Sequence, residues 1–178
     1  MARSSELADH FFTAHAEFFE FVKGASPEQW RVKGINHPKI RVGNEDEGRP
    51  VGVIVHHVAS GYLNNRLRCE AWINGRDLEP PGPETNRRHA ADHPDPDQVE
   101  TLRFLEGEAT ALHGFIGGLS DSELAAGGAF INGSTTVEDL VGRRLPFHIR
   151  WHLGSIQATW AAMEPGMAVP TYSARRVS

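Results

Sequence analysis

The chain has 178 residues, which is long enough for one domain with a sizeable core and short for two. Its hydrophobic content of 39% is ordinary for a globular protein, and its net charge of −5 gives no basic surface for nucleic acid or anionic membrane. The single cysteine, Cys69, excludes an internal disulfide and fits a reducing cytoplasm. No window has the roughly 18 uncharged apolar residues of a spanning helix, and the N-terminus is not typical of a signal peptide. The composition predicts a cytoplasmic protein that binds neither nucleic acid nor membrane.

The first helix is predicted from about Ser4 to Lys23. His10 and His15 lie outside its apolar stripe, so we expect them at the surface or at its edge. The sequence Ser26-Pro27-Glu28-Gln29 has the spacing of a capping box with proline in the first turn, which predicts a short helix. The glycine-rich and charged stretch from Val32 to Pro50 is predicted to be a loop. The stripe of the first helix consists of Leu7, Phe11, Ala14, Phe18 and either Phe21 or Val22.

The second long helix is predicted from about Pro50 to Trp72 or Ile73. Its first part is apolar almost all round, so it starts inside the core. His56 and His57 in this part point about 100° apart, so at most one of them can face a given site. His57 shares a stripe with Gly61 and Asn64, and the glycine leaves room for an ion or ligand. His57 is therefore the better site candidate, and His56 is expected to face a neighbouring helix or solvent.

An irregular stretch with five prolines and two glycines is predicted for residues 74–97. Long loops of this kind often cover a functional site or are flexible. His89 and His93 lie four residues apart in this stretch. The prolines at 94 and 96 argue against a helix through the pair, so it is not predicted to bind metal.

The third long helix is predicted to open at Asp95-Pro96-Asp97-Gln98 and to end at Gly117-Gly118. Glu106 lies beside its apolar face and is expected to be solvated, although it could reach inward. A further capping box at Ser120-Asp121-Ser122-Glu123 predicts a short helix. The predicted buried face of the third helix consists of Val99, Leu102, Leu105, Ala109, Leu112 and Ile116.

The last long helix is predicted to follow a turn at Asn132-Gly133 and to open with the capping-box spacing of Thr135 and Glu138. His148 and His152 lie four residues apart on this helix, on one stripe with Val141, Leu145 and Ile156. Pro146 is expected to kink the helix just before the two histidines.

The spacing of His148 and His152 suits a metal site, because imidazoles one helical turn apart can converge on one ion. Such pairs also occur as structural core residues, so a third ligand is needed. Four long helices and no run of alternating β-branched residues predict an all-α four-helix bundle, with short extra helices and a long loop between the second and third long helices. Residues 1–164 are expected to form this single domain and residues 165–178 a loose tail. In such a bundle His57 can face His148 and His152.

The segments VGVIVHHVASGYL and LPFHIRWHLGSIQ resemble the DinB/YfiT-like superfamily of metal-binding four-helix bundles. His57 matches the histidine of that family's second helix. His148, His152, Gly154 and Ile156 match its pattern H-x-x-x-H-x-G-x-[IL]. The segments ETNRRHAADHPD and GLSDSEL are also similar to bacterial and actinobacterial members. The resemblance implies that three histidines, those at 57, 148 and 152, hold a divalent metal, zinc or nickel, with open positions for water or a ligand.

The resemblance leaves open whether the protein is an enzyme: characterised relatives include transferases and isomerases that use low-molecular-weight thiols such as mycothiol or bacillithiol, whereas many members have no assigned activity. A divalent ion on three neutral imidazoles keeps its charge, so a bound thiol would lose its proton near neutral pH and could attack a small electrophilic substrate. Asn64 and Arg150, together with Arg87 or Arg88, are the candidates for orienting an acidic substrate or the thiol.

Other interpretations use the same residues. A metal-dependent hydrolase would activate water instead of thiol, with Glu106 as the acid that can be placed as its base. A noncatalytic metal- or ligand-binding stress protein, a homodimer through exposed apolar helix faces, would bind metal without turnover. In a further interpretation the histidines are only core residues, and metal would not change the stability of the fold.

Overall fold

The computed structural model describes residues 2–35, 48–131 and 133–163, which form a helical bundle with one small hairpin. The predicted tail and residues 36–47 of the predicted loop lie outside the described residues. No described helix has the length and apolarity that crossing a membrane requires.

The predicted all-α four-helix bundle is confirmed, with α1, α3, α5 and α8 as its long helices. In chain order, the elements are α1 (Ala2–Val22), α2 (Pro27–Arg31), α3 (Val51–Ile73), α4 (Pro83–Asp92), α5 (Gln98–Gly117), α6 (Asp121–Ala125), β1 (Gly127–Phe130), β2 (Gly133–Thr136), α7 (Val137–Asp139) and α8 (Leu145–Met163).

The long helices surround the core in the order α1, α5, α3, α8. The first two long helices, α1 and α3, therefore lie diagonally opposite each other in the bundle, and their side chains meet across the core. Phe11 of α1 packs edge-on against Tyr62 of α3, with ring centroids 5.2 Å apart. The contact between α3 and α8 is much less extensive than the contact between α3 and α5. This looser interface leaves space for polar side chains between α3 and α8.

The predicted stripe of α1 is buried, with Val22 rather than Phe21 completing it. The prediction for His15 is wrong, because this side chain is only 4% exposed and lies against Phe12, Phe19 and Tyr62. The reason is that α1 packs against both α5 and α8, which buries a wider arc than one stripe. His10 is exposed, as predicted.

The start of α3 is fixed by a tryptophan from α2. The capping box predicted for α2 is present, with Ser26 and Gln29 exchanging hydrogen bonds at 3.2 and 2.8 Å. The Trp30 indole lies directly on Gly52, where any side chain would collide with the ring. Its Nε1 donates to the Pro96 carbonyl at 2.9 Å, so one side chain joins α2, α3 and the segment before α5.

The prediction of an irregular stretch over residues 74–97 is wrong for its middle part, which forms α4. Pro83 occupies the first turn of α4, where its missing N–H costs no hydrogen bond. His93 is the C-cap residue, and its N–H donates to the His89 carbonyl at 3.0 Å. Pro94 follows immediately and ends the helix instead of preventing it. His89 and His93 therefore lie one helical turn apart after all.

The buried face of α5 is as predicted from Leu105 onward but differs in the first turn. Val99 is 56% exposed, and Thr101 is buried in its place. Thr101 continues the stripe of Leu105 and Ala109 at four-residue spacing, whereas Val99 falls on the opposite side. Glu106 is exposed, as expected.

An antiparallel hairpin of β1 and β2, which the sequence did not predict, precedes the last helix. Its strands are four residues long and rich in glycine, so they lack the β-branched alternation of a typical strand. The N-cap residue of α7 is Thr136, one position after the predicted Thr135; its Oγ1 accepts from the Asp139 N–H at 3.1 Å. Asn132 of the predicted turn lies outside the described residues.

Candidate metal centre

A π-helical turn, Leu140–Arg144, leads into α8 just before its histidines. The Leu145 N–H donates to the Leu140 carbonyl, five residues back. Pro146 has no N–H to donate, and the wider turn lets α8 begin with the proline in its first turn. The irregularity near Pro146, which was predicted as a kink, is in the structure a π-turn that ends just before α8. Asp139 stabilises this turn by accepting from both Arg143 and Arg144 at 2.6 Å.

His57, His148 and His152 converge between α3 and α8. Each offers one ring nitrogen, and these nitrogens all lie within 4.8 Å of one another. The Nε2 atoms of His148 and His152 are 3.0 Å apart. The centroid of the His57 ring lies 5.4 Å from that of His148 and 5.2 Å from that of His152. The structure thus brings together the three histidines that the sequence selected, and His57 rather than His56 faces the pair on α8.

The electrostatics of the cluster favour neutral imidazoles at His57 and His148. Burial, followed by the neighbouring rings of His152 and His148, holds the pKa of His57 well below its usual range. Burial and the neighbouring His152 have the same effect on the pKa of His148. Neutral rings keep a lone pair on one nitrogen, which is the form that binds metal.

The donor set fits a divalent transition metal. Three neutral imidazoles leave the charge of a zinc or nickel ion in place and leave coordination positions for another ligand. Two nitrogens on one tetrahedral zinc ion lie roughly 3.3 Å apart, close to the 3.0 Å between the Nε2 atoms of His148 and His152. His148 and His152 are therefore already spaced as two ligands of one ion, and the nitrogen of His57 lies within 4.8 Å of theirs.

A buried arginine, which the sequence did not reveal as a site residue, lies beside the cluster. Arg49 lies two residues before the start of α3 and is 9% exposed. Its carbonyl accepts from the Gly34 N–H at 2.9 Å, which fixes the backbone there. After burial and the neighbouring histidines, the charge of Arg49 is a further cause of the lowered pKa of His57 and of His148. The positive charge of Arg49 thus acts on two of the three histidines of the cluster.

The side chains predicted to orient a substrate lie elsewhere or at the surface. Asn64 is exposed on α3. Arg150 donates from Nε to Glu17 of α1 at 3.0 Å, which engages it in a contact between helices. Arg87 pairs with Glu84 on the exposed side of α4, and Arg88 is also exposed. Their roles in substrate binding stay predictions from the sequence.

Cys69 is not suited to be a nucleophile. Its side chain is fully buried, and burial raises the pKa of its thiol to about 12. A thiol with so high a pKa carries almost no thiolate at neutral pH. Thiol chemistry at the histidine cluster would therefore need a thiol from outside the chain.

Fold and site together define a class: a four-helix bundle with three convergent histidines between its second and last long helices. A search of solved structures finds YfiT from Bacillus subtilis, described as a probable metal-dependent hydrolase with an unusual four-helix bundle topology. The match has a TM-score of 0.67 and 18% sequence identity, and it covers 90% of this chain and 87% of that chain. The resemblance to DinB/YfiT-like bundles is confirmed at the level of the fold. No protein-family model matches the chain, and no curated protein does.

Proposed function

We propose that this protein is a metal-dependent enzyme that activates a low-molecular-weight thiol, such as mycothiol or bacillithiol, for transfer to or isomerisation of a small electrophilic substrate. The observation that supports this proposal is the convergence of ring nitrogens from His57, His148 and His152 within 4.8 Å. A zinc or nickel ion at this position would supply a positive charge that lowers the pKa of a thiol or water.

The surrounding residues supply orientation and cover. Arg49 brings a buried positive charge next to the histidines, so we propose that the substrate or thiol carries a carboxylate there. Helix α4 lies next to the part of α3 that carries His57, and the His89 ring centroid is 5.4 Å from that of His57. This segment can shield the reacting groups from bulk water, which strengthens the interactions of Arg49.

A hydrolase is the second candidate, and the description of YfiT favours it. The same histidines would then serve to activate water. Glu106, the predicted base, is exposed on α5, so another group would have to accept the proton. A noncatalytic metal-binding protein is the third candidate, and it predicts metal without turnover.

The test combines metal analysis with an activity screen on full-length protein purified without a histidine tag. Small electrophiles that carry a carboxylate are offered with mycothiol, with bacillithiol and without thiol. We expect thiol-dependent turnover that is lost in His152→Ala. Turnover should be retained in the control variant His10→Ala, which removes an exposed histidine of α1 outside the cluster. Turnover without thiol would assign the hydrolase, and bound metal without any turnover would assign the noncatalytic protein. The homodimer and the cytoplasmic location stay predictions from the sequence.

A further inference from the structure

A second group of three histidines lies next to the first and belongs to none of the roles described so far. His56 of α3, together with His89 and His93 at the end of α4, offers three ring nitrogens within 4.8 Å of one another. The His56 ring centroid is 4.0 Å from that of His93 and 5.1 Å from that of His89. We propose that these three histidines form a second, separate binding site for a first-row divalent metal ion.

The backbone places the three rings for this purpose. His89 and His93 lie one turn apart, and the hydrogen bond from the His93 N–H to the His89 carbonyl holds them in register. His56 precedes His57 on α3, and side chains of consecutive helical residues diverge by about 100°. His57 can therefore be a ligand of the first site while His56 is a ligand of the neighbouring second site.

The contacts within the group show ring nitrogens facing one another. The Nδ1 atom of His56 lies 2.9 Å from the Nε2 atom of His89, and Ser60 Oγ lies 3.3 Å from that same Nε2 atom. The other nitrogen of His89, Nδ1, is buried and has no hydrogen-bond partner among the described residues. The nitrogen that His89 would offer to an ion shared with His56 is therefore Nε2, which faces the His56 Nδ1 atom, since one imidazole gives one lone pair to one ion.

The surroundings allow an ion to enter and to keep exchangeable ligands. His93 is exposed, while His56 and His89 are half-buried against the Phe104 ring and Ser60. Imidazole donors favour zinc, nickel, copper or cobalt over magnesium or calcium.

The two sites make independent predictions about zinc binding. The untagged full-length chain is equilibrated with zinc alone by dialysis, and bound zinc is counted by atomic emission. Because His93 is exposed, His93→Ala should keep the fold, which far-UV circular dichroism checks. We expect about two zinc ions per chain in the wild type and in His10→Ala, and about one in His93→Ala and in His152→Ala. Loss of one ligand should weaken the affected site about 100-fold or more, beyond what outer-shell changes cost.

The outcomes separate the second site from the first. One zinc ion in the wild type that His93→Ala leaves unchanged would overturn the second site and keep the first. One zinc ion that is lost in His93→Ala but kept in His152→Ala would support the second site and overturn the first. Two ions in both the wild type and His93→Ala would place the second ion elsewhere and overturn the inference.

Discussion

Two histidines are buried to a similar degree in this bundle, yet their surroundings are opposite. His15 on α1 is 4% exposed, and His152 on α8 is 1% exposed. His15 is enclosed by aromatic rings, with the Tyr62 hydroxyl 3.5 Å from its Nδ1. His152 faces other imidazoles, with the His148 Nε2 atom 3.0 Å from its own. Burial alone therefore does not define a metal site; the convergence of several lone pairs on one point does.

The largest expected effect of this difference is on stability when metal is added. In chains that also carry His93→Ala, which disables the second group of histidines, zinc at about 1,000 times its dissociation constant should stabilise the fold by about 4 kcal/mol, because the ion binds only the folded chain. In this background His152→Ala should lose this gain, whereas His15→Gln should keep it. Thermal unfolding with and without zinc measures the effect, and an equal gain in both variants would contradict the distinction between the two histidines.

The second effect is specific to His15 and concerns acid. Burial lowers the pKa of His15 to about 4 in the folded chain, below the usual value of 6.5. As the pH falls from 6.5 towards 4, the unfolded chain takes up a proton that the folded chain does not, so stability is lost. The loss should be on the order of 3 kcal/mol, since one pKa unit corresponds to about 1.4 kcal/mol.

Urea unfolding of metal-free protein at pH 7 and pH 4.5 checks this acid effect. His15→Gln cannot take up the proton, so its stability should fall less between the two pH values than that of the wild type. His10→Gln is the control, since His10 is exposed on the same helix. Identical losses in the wild type and in His15→Gln would show that the aromatic environment of His15 does not depress its pKa.

A smaller effect is expected where packing alone is changed. Gly52→Ala places a methyl group against the Trp30 indole, and the overpacking should lower the free energy of unfolding by about 1–3 kcal/mol. Gly24→Ala is the control, because no atom lies within 4 Å of its added Cβ. Urea unfolding compares the two. If Gly52→Ala unfolded like the wild type, the Trp30 contact would not be what fixes the start of α3.

The smallest effect is expected at the π-turn before α8. Asp139→Asn removes the charge that Arg143 and Arg144 bind, and the partly exposed position limits the loss to about 1 kcal/mol. The hydrogen bonds from Arg143 also hold the pKa of the Asp139 carboxyl well below its usual range. Zinc binding should survive this change. Loss of zinc by Asp139→Asn would contradict this expectation. It would mean that the π-turn, and not α8 alone, holds His148 and His152 in position.

Local patterns in the sequence predicted most of this architecture. The apolar stripes of α1 and α5 and the four-residue spacing of His148 and His152 depend only on helical geometry. Consecutive helical residues point in different directions, so only one of His56 and His57 can face the site, and His57 could be chosen because it shares a stripe with Gly61. These features need no knowledge of how distant segments pack.

The features that the sequence did not predict depend on tertiary contacts. The burial of His15 requires two neighbouring helices on α1, and the position of Arg49 requires the segment before α3 to fold onto the bundle. The prolines after His93 predict that no helix runs through His89 and His93, whereas in the structure they follow the end of that helix. That interpretation concealed the group of His56, His89 and His93.

The most direct test of the first metal site is metal analysis of untagged protein for the wild type, His57→Ala and His56→Ala, each also carrying His93→Ala to disable the second group. About one equivalent of metal is expected in the protein with His93→Ala alone and in the protein that adds His56→Ala, because both retain His57. No metal is expected in the protein that adds His57→Ala. Equal metal content in all three proteins would contradict the account, since His57 would then not be a ligand.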